Sequence, residues 1–167
     1  MKTKSIMVLL FLTVIVIASC KKDSATTTNS NTVTFTATLN AASQVPATTS
    51  TATGKANFTY DKTTYMLKGT VTFTGITPTA SHIHKGAVGT SGDVIIPLAT
   101  TTPITSPITL APMTLDATQR ADLLANLYYV NIHSTAFPAG EIRGQLMQQT
   151  SSTTGTGTST GTGTGGY

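Results

Sequence analysis

A chain of 167 residues with 10% charged side chains, one Cys and no Trp has room for one domain. It excludes an internal disulfide framework, a multi-cysteine zinc site and a charged coiled coil. The formal net charge of +4 comes from Lys2, Lys4, Lys21 and Lys22 near the start, whereas residues 33–148 hold six basic and five acidic side chains, so the body carries no electrostatic footprint for nucleic acid.

The first element is an apolar run from Ile6 to Ala18, preceded by Lys2 and Lys4 and interrupted only by Thr13. Its length of about 13 residues falls short of the roughly 20 that span a bilayer as a helix. It has the pattern of a signal-peptide core, so residues 1–19 are expected to be a leader. The run ends Ile17-Ala18-Ser19-Cys20. An aliphatic residue, two small residues and the chain's one Cys resemble the lipobox of bacterial lipoproteins. That resemblance implies lipidation of Cys20, with fatty chains such as palmitate holding the mature protein on a membrane of the bacterial cell envelope. Each methylene buried in lipid contributes about 0.8 kcal/mol. Residues 20–32 are polar and aperiodic and are expected to form a flexible tether. Residues 149–167 repeat Gly, Thr and Ser, offer too little apolar surface to offset chain entropy, and are expected to be disordered.

Between them, residues 33–148 are dominated by period-two alternation. Val33, Phe35, Ala37 and Leu39 alternate with threonines. Ala56, Phe58 and Tyr60 keep the same period, Asp61–Thr64 makes a turn, and Tyr65, Leu67, Gly69, Val71 and Phe73 run back. This pair reads as a hairpin with one buried face and a Thr-lined wet face. Gly75–Thr79 reads as a loop. Further strands are predicted over 80–84, 94–98, 108–115, 128–133 and 141–147. One segment, Asp116–Leu127, departs from the period. Asp116 is an N-cap, Gln119 completes a capping box, and Ala117, Ala121, Leu124 and Leu127 share one helical face. About eight strands and one short helix predict an all-β, antiparallel, Greek-key-like sandwich or barrel.

Three blocks carry a family resemblance. The first is Leu39-Asn40-Ala41-Ala42-Ser43-Gln44-Val45-Pro46, followed by Gly54. The second is His82-Ile83-His84-Lys85-Gly86, then Gly89 and Gly92. The third is Tyr129-Val130-Asn131-Ile132-His133-Ser134, then Pro138-Ala139-Gly140-Glu141-Ile142-Arg143-Gly144-Gln145. In this order they resemble the CHRD domain, named from chordin. The first block departs from the family at Ala41, Gln44 and Ala47, where Gly, Glu and a second Pro are usual. The resemblance implies an all-β extracytoplasmic domain and assigns it no general biochemical activity.

The chain's three His all fall in the second and third blocks. His82 and His84 are two apart on a strand and share a face, as do Asn131 and His133. Two readings stay open. In one, His82, His84 and His133 converge on a single transition-metal ion, for which imidazole is a suitable ligand. In the other, the rings form a structural polar cluster with Asn131, Glu141 and Arg143 at one end of the sandwich. Glu141 and Arg143, also two apart, are expected to form a local ion pair or to orient a His. A binuclear site similar to that of copper/zinc superoxide dismutase fails on counting, since it needs more His than three. Glu141 is the only Glu, so a paired-carboxylate glycosidase lacks its second acid. Nucleophile-elbow, P-loop and dinucleotide motifs are absent. The sequence therefore points to a non-catalytic module with no cofactor unless a metal ion is held. Its expected partners are the membrane, through Cys20, and an extracytoplasmic protein or small ligand.

Overall fold

The computed structural model describes residues 31–149; the leader, Cys20 and nearly all of the expected tether and tail lie outside them. The described residues form nine strands in one antiparallel sheet and a single helix, the all-β antiparallel architecture expected from the alternation. Strands β1 (Thr32–Asn40), β2 (Thr53–Asp61) and β3 (Met66–Thr74) form a meander paired in continuous register, from Val33 opposite Tyr60 to Leu39 opposite Gly54. Their inward positions, Val33, Phe35, Leu39, Ala56, Phe58, Leu67 and Val71, are buried. Asp61 shapes the β2–β3 turn by accepting the N–H groups of Thr63 at 2.7 Å and Thr64 at 3.0 Å. Those bonds favour the carboxylate and hold its pKa below the ordinary value. Tyr65 adopts φ 60° in this turn and is exposed, so it does not join the inward row of β3 as the alternation suggested.

The remaining strands are β4 (Pro78–Lys85), β5 (Val94–Ala99), β6 (Ile108–Thr114), β7 (Tyr128–Ser134), β8 (Ile142–Gln145) and β9 (Met147–Gln148). Along the sheet the order is β5-β4-β7-β8-β1-β2-β3-β6, with β9 beside β1. The sheet curls until β5 and β6 approach each other, leaving a nearly closed barrel with a seam. Each seam strand carries a proline, Pro97 in β5 and Pro112 in β6. Proline has no N–H to offer a further strand, which suits an edge. Inside lies one apolar core that includes Phe35, Leu39, Phe58, Ile83, Ile132 and Ile142. The segment expected as one strand over 141–147 is interrupted: Glu141 precedes β8, and Leu146 donates its N–H to Tyr128 O at 2.9 Å between β8 and β9.

The helix α1 (Ala117–Leu124) bridges β6 and β7. Its capping box forms as expected, with Gln119 N–H to Asp116 Oδ1 at 2.8 Å and Asp116 N–H to Gln119 Oε1 at 3.0 Å. It stops earlier than expected, because Asn126 takes φ 58° and closes a Schellman motif: Asn126 N–H donates to Leu123 O and Leu127 N–H to Asp122 O, each at 3.0 Å. The inward face also differs. Leu123 is fully buried, while Ala117, Ala121 and Leu124 are exposed. Alanine contributes little area, so two alanines in register with Leu124 weigh less than one leucine placed over the core. Beside the helix, Tyr128 is completely buried and its hydroxyl has no hydrogen-bond partner.

Candidate functional site

Register builds the site. Across β4, β7 and β8, His82 stands opposite Asn131 and Asn131 opposite Arg143; His84 stands opposite Tyr129 and Tyr129 opposite Gln145. Directly opposed residues project from the same face. Ile83, Val130, Ile132 and Ile142 take the core face. His82, His84, Tyr129, Asn131, His133, Arg143 and Gln145 therefore share the outer face. An outer face is ordinarily wet, yet Tyr129, Asn131 and Arg143 are at most 3% exposed here. Loops cover them, and β7 is buried on both sides.

Arg143 fastens one of these covers, the 86–93 loop. Its Nη1 donates to Thr90 O at 2.8 Å and its Nη2 to Ala87 O at 3.0 Å and Gln145 Oε1 at 3.2 Å. Its guanidinium lies 3.5 Å from the Tyr129 ring centroid. Gln145 Nε2 donates to Gly86 O at 3.0 Å, and Gly92 N–H donates to the Tyr129 hydroxyl at 3.1 Å. Gly92 has to be glycine, since a Cβ there would lie 1.6 Å from Lys85 O. The Gly-rich part of the second sequence block is thus a strap over the outer face. Burial pulls Arg143 below the usual guanidinium range, while the adjacent Tyr129 opposes the shift.

Glu141 is not the partner of Arg143. Among the described residues the ion pair present joins Lys85 to Asp122 at 2.8 Å. Glu141 turns toward two serines: Oε1 accepts from Ser50 Oγ at 2.6 Å and Oε2 from Ser134 Oγ. The cause is Gly140, whose φ of 123° bends the chain just before β8, so Glu141 and Arg143 are not alternate residues of one continuous strand. A Cβ on Gly140 would sit 2.4 Å from Asn131 Nδ2 and 2.6 Å from Gln44 Nε2. Asn131 and Gln44 pack there, and Gln44 Nε2 donates to Ala139 O at 3.2 Å. Glu141 borders a cleft of about 620 Å³ that also includes Ser134, Pro78 and Ile104 and has no second carboxylate in its wall.

The three His meet. The ring centroids of His82 and His133 are 5.0 Å apart, those of His82 and His84 5.5 Å, and those of His84 and His133 5.9 Å. One nitrogen from each ring lies within 4.8 Å of the others. Two rings have their tautomer set by a carbonyl, which only accepts: His84 Nδ1–H donates to Gly92 O and His133 Nδ1–H to Pro138 O, each at 3.0 Å. In the neutral rings this leaves a lone pair on each Nε2. His82 Nδ1 lies 3.2 Å from His133 Nε2. His84 Nε2 is buried and has no hydrogen-bond partner. His84 also stacks on Tyr129, with centroids 5.0 Å apart and planes within 8°. Burial holds His82 below the ordinary imidazole value, helped by His133 and His84. Burial likewise lowers His84, opposed by its Gly92 bond and aided by His133 and Arg143.

Five of the six polar residues singled out in the sequence thus share one face, and Glu141 leaves it. Tyr129 and Gln145 join them unforeseen, although the same two-residue spacing from Asn131 and Arg143 points to both. Gln44 and Gly92 come from covering loops; the sequence blocks include both, but no strand spacing places them at this face. A family model for the CHRD domain matches residues 35–146. No curated protein and no solved structure matches the chain.

Proposed function

The chain belongs to the CHRD domain family, and on that premise we propose that it is a non-catalytic binding or structural module, exported and held on the bacterial cell envelope by lipid on Cys20. The observation that carries the non-catalytic reading is the engagement of Glu141 and Arg143 by their own chain. Both Glu141 oxygens accept serine hydroxyls, and Arg143 is spent on loop carbonyls and Gln145. A glycosidase needs a second carboxylate within about 5 to 9.5 Å, and the wall of the Glu141 cleft supplies none. The anchor rests on Lys2, Lys4, the apolar run and Ile17-Ala18-Ser19-Cys20.

Detergent phase partitioning of the protein produced in a bacterium tests the anchor. The native chain is expected in the detergent phase and Cys20→Ala in the aqueous phase or retained as uncleaved precursor without lipid. Labelled palmitate should enter the native chain alone. Equal palmitate incorporation in both would overturn the reading.

A further inference from the structure

We propose that His82, His84 and His133 form a mononuclear site for a divalent transition-metal ion, Zn²⁺ or Cu²⁺. This goes beyond the binding-module reading and does not depend on the lipid anchor.

The first ground is convergence. Three ring nitrogens from two neighbouring strands lie within 4.8 Å of one another. Two nitrogens on one tetrahedral zinc sit about 3.3 Å apart, given Zn–N bonds of about 2.0–2.1 Å. His82 Nδ1 and His133 Nε2 are already 3.2 Å apart.

The second ground is independent of the first. His84 Nε2 is buried, belongs to a residue only 8% exposed, and has no hydrogen-bond partner. Buried acceptors in folded proteins are nearly always satisfied; Gln44 Oε1, Tyr128 Oη and Asn131 Oδ1 are also buried without a partner, and His84 Nε2 differs from them in belonging to a ring that meets two other imidazoles. A purely structural network accounts for the His82–His133 bond but leaves this lone pair with nothing to do. An ion between the rings would use it and would replace the proton that His82 shares with His133.

The third ground lies behind the rings. Ligating His residues usually give their second N–H to a carbonyl or carboxylate, which fixes tautomer and orientation. His84 and His133 both do so, to Gly92 O and Pro138 O. Those carbonyls belong to two different covering loops, so an ion would join the loops to β4 and β7.

Ligand chemistry narrows the ion. The set offers neither thiolate nor thioether, which argues against Cu⁺, and no carboxylate, which argues against Mg²⁺, Ca²⁺ and Mn²⁺. Three neutral imidazoles suit Zn²⁺ and Cu²⁺. His82 and His133 are only half-buried, so the cluster is within reach of solvent.

The test uses the untagged full-length chain in mild detergent, with Cys20 alkylated in any chain that carries no lipid and adventitious metal stripped by chelator. Zn²⁺ and Cu²⁺ are titrated separately by calorimetry against a competing chelator. One ion per chain is expected for at least one metal, with a rise in the melting midpoint. Bound Cu²⁺ should show coupling to three imidazole nitrogens by electron paramagnetic resonance. His84→Ala and His133→Ala should each weaken binding at least as much as the roughly 100-fold that loss of a supporting partner costs. Circular dichroism checks that each variant is folded. If His84→Ala unfolds, the half-buried His133→Ala and the native Cu²⁺ spectrum decide. Absence of stoichiometric binding by the folded native chain, unchanged affinity in folded His133→Ala, or fewer than three coupled nitrogens would overturn the site.

Discussion

Tyr128 illustrates how one atom sets a cost that the rest of its side chain hides. The ring fills the core beside α1, but the hydroxyl finds no partner there. Burial pushes its pKa up to about 12, aided by the charges of Asp122 and Asp116. An unfolded tyrosine loses its proton near pH 10. Between these values the unfolded chain releases a proton that the folded chain keeps. The group's contribution is therefore intact below pH 10 and is lost as pH rises through 10 toward 12. Tyr128→Phe removes both effects. At pH 8 urea unfolding should show it no less stable than the native protein, since an unsatisfied buried group costs about 1–3 kcal/mol. At pH 11 its advantage should grow by about 1 kcal/mol; an advantage that stays constant would refute the assigned shift. Gly140 shows the limit of reading single residues from sequence. Two-residue spacing places Glu141 with Arg143, but a φ of 123° one position earlier sends the carboxylate to Ser50 and Ser134. That dihedral is fixed by Asn131 and Gln44 packing against the glycine, which is tertiary information.

At the scale of the element, the β1–β3 meander was legible because one face is in water. Polar and apolar residues then alternate, and the period names the strand, its turn and its inward side. The outer face of β4, β7 and β8 hid its burial, because the 86–93 strap that covers it belongs to another part of the chain. The spacing did show that His82 and His84 share a face of one strand and Asn131 and His133 a face of another; that these strands, β4 and β7, are neighbours, which brings the three His together, is tertiary information. The helix failed in a narrower way: its caps were readable, its orientation was not. Ala117, Ala121 and Leu124 form an apolar stripe, whereas the positions one turn before Leu123 are Gln119 and Arg120, so the pattern points to the face that the structure leaves exposed. A pair of substitutions separates them. Leu123→Ala should destabilise the domain by about 2–5 kcal/mol, the range for emptying a packed leucine site. Leu124→Ala, at an exposed position, should fall within about 0.5 kcal/mol of the native protein. Comparable losses in chemical denaturation would mean that the helix packs through a different face.

For the whole molecule, residues 31–149 hold a complete core and a sheet whose two edges carry proline. A chain cut to residues 31–149 should melt in one cooperative transition close to the full-length midpoint. A deficit of about 3–6 °C, roughly 1 kcal/mol for a domain of this size, would show that the removed segments pack on the barrel. The pairing of β1 with β9 has a consequence for posture. Gln149 donates its N–H to Thr34 O at 2.8 Å, so the described chain enters and leaves the barrel at one place. The histidine face belongs to the row Asn40, Arg143, Asn131 and His82, at the far end of β1. From Thr32 to Asn40 the strand rises about 27 Å. On the proposed attachment through Cys20, the imidazoles would lie at the end of β1 remote from the point where the tether joins the barrel.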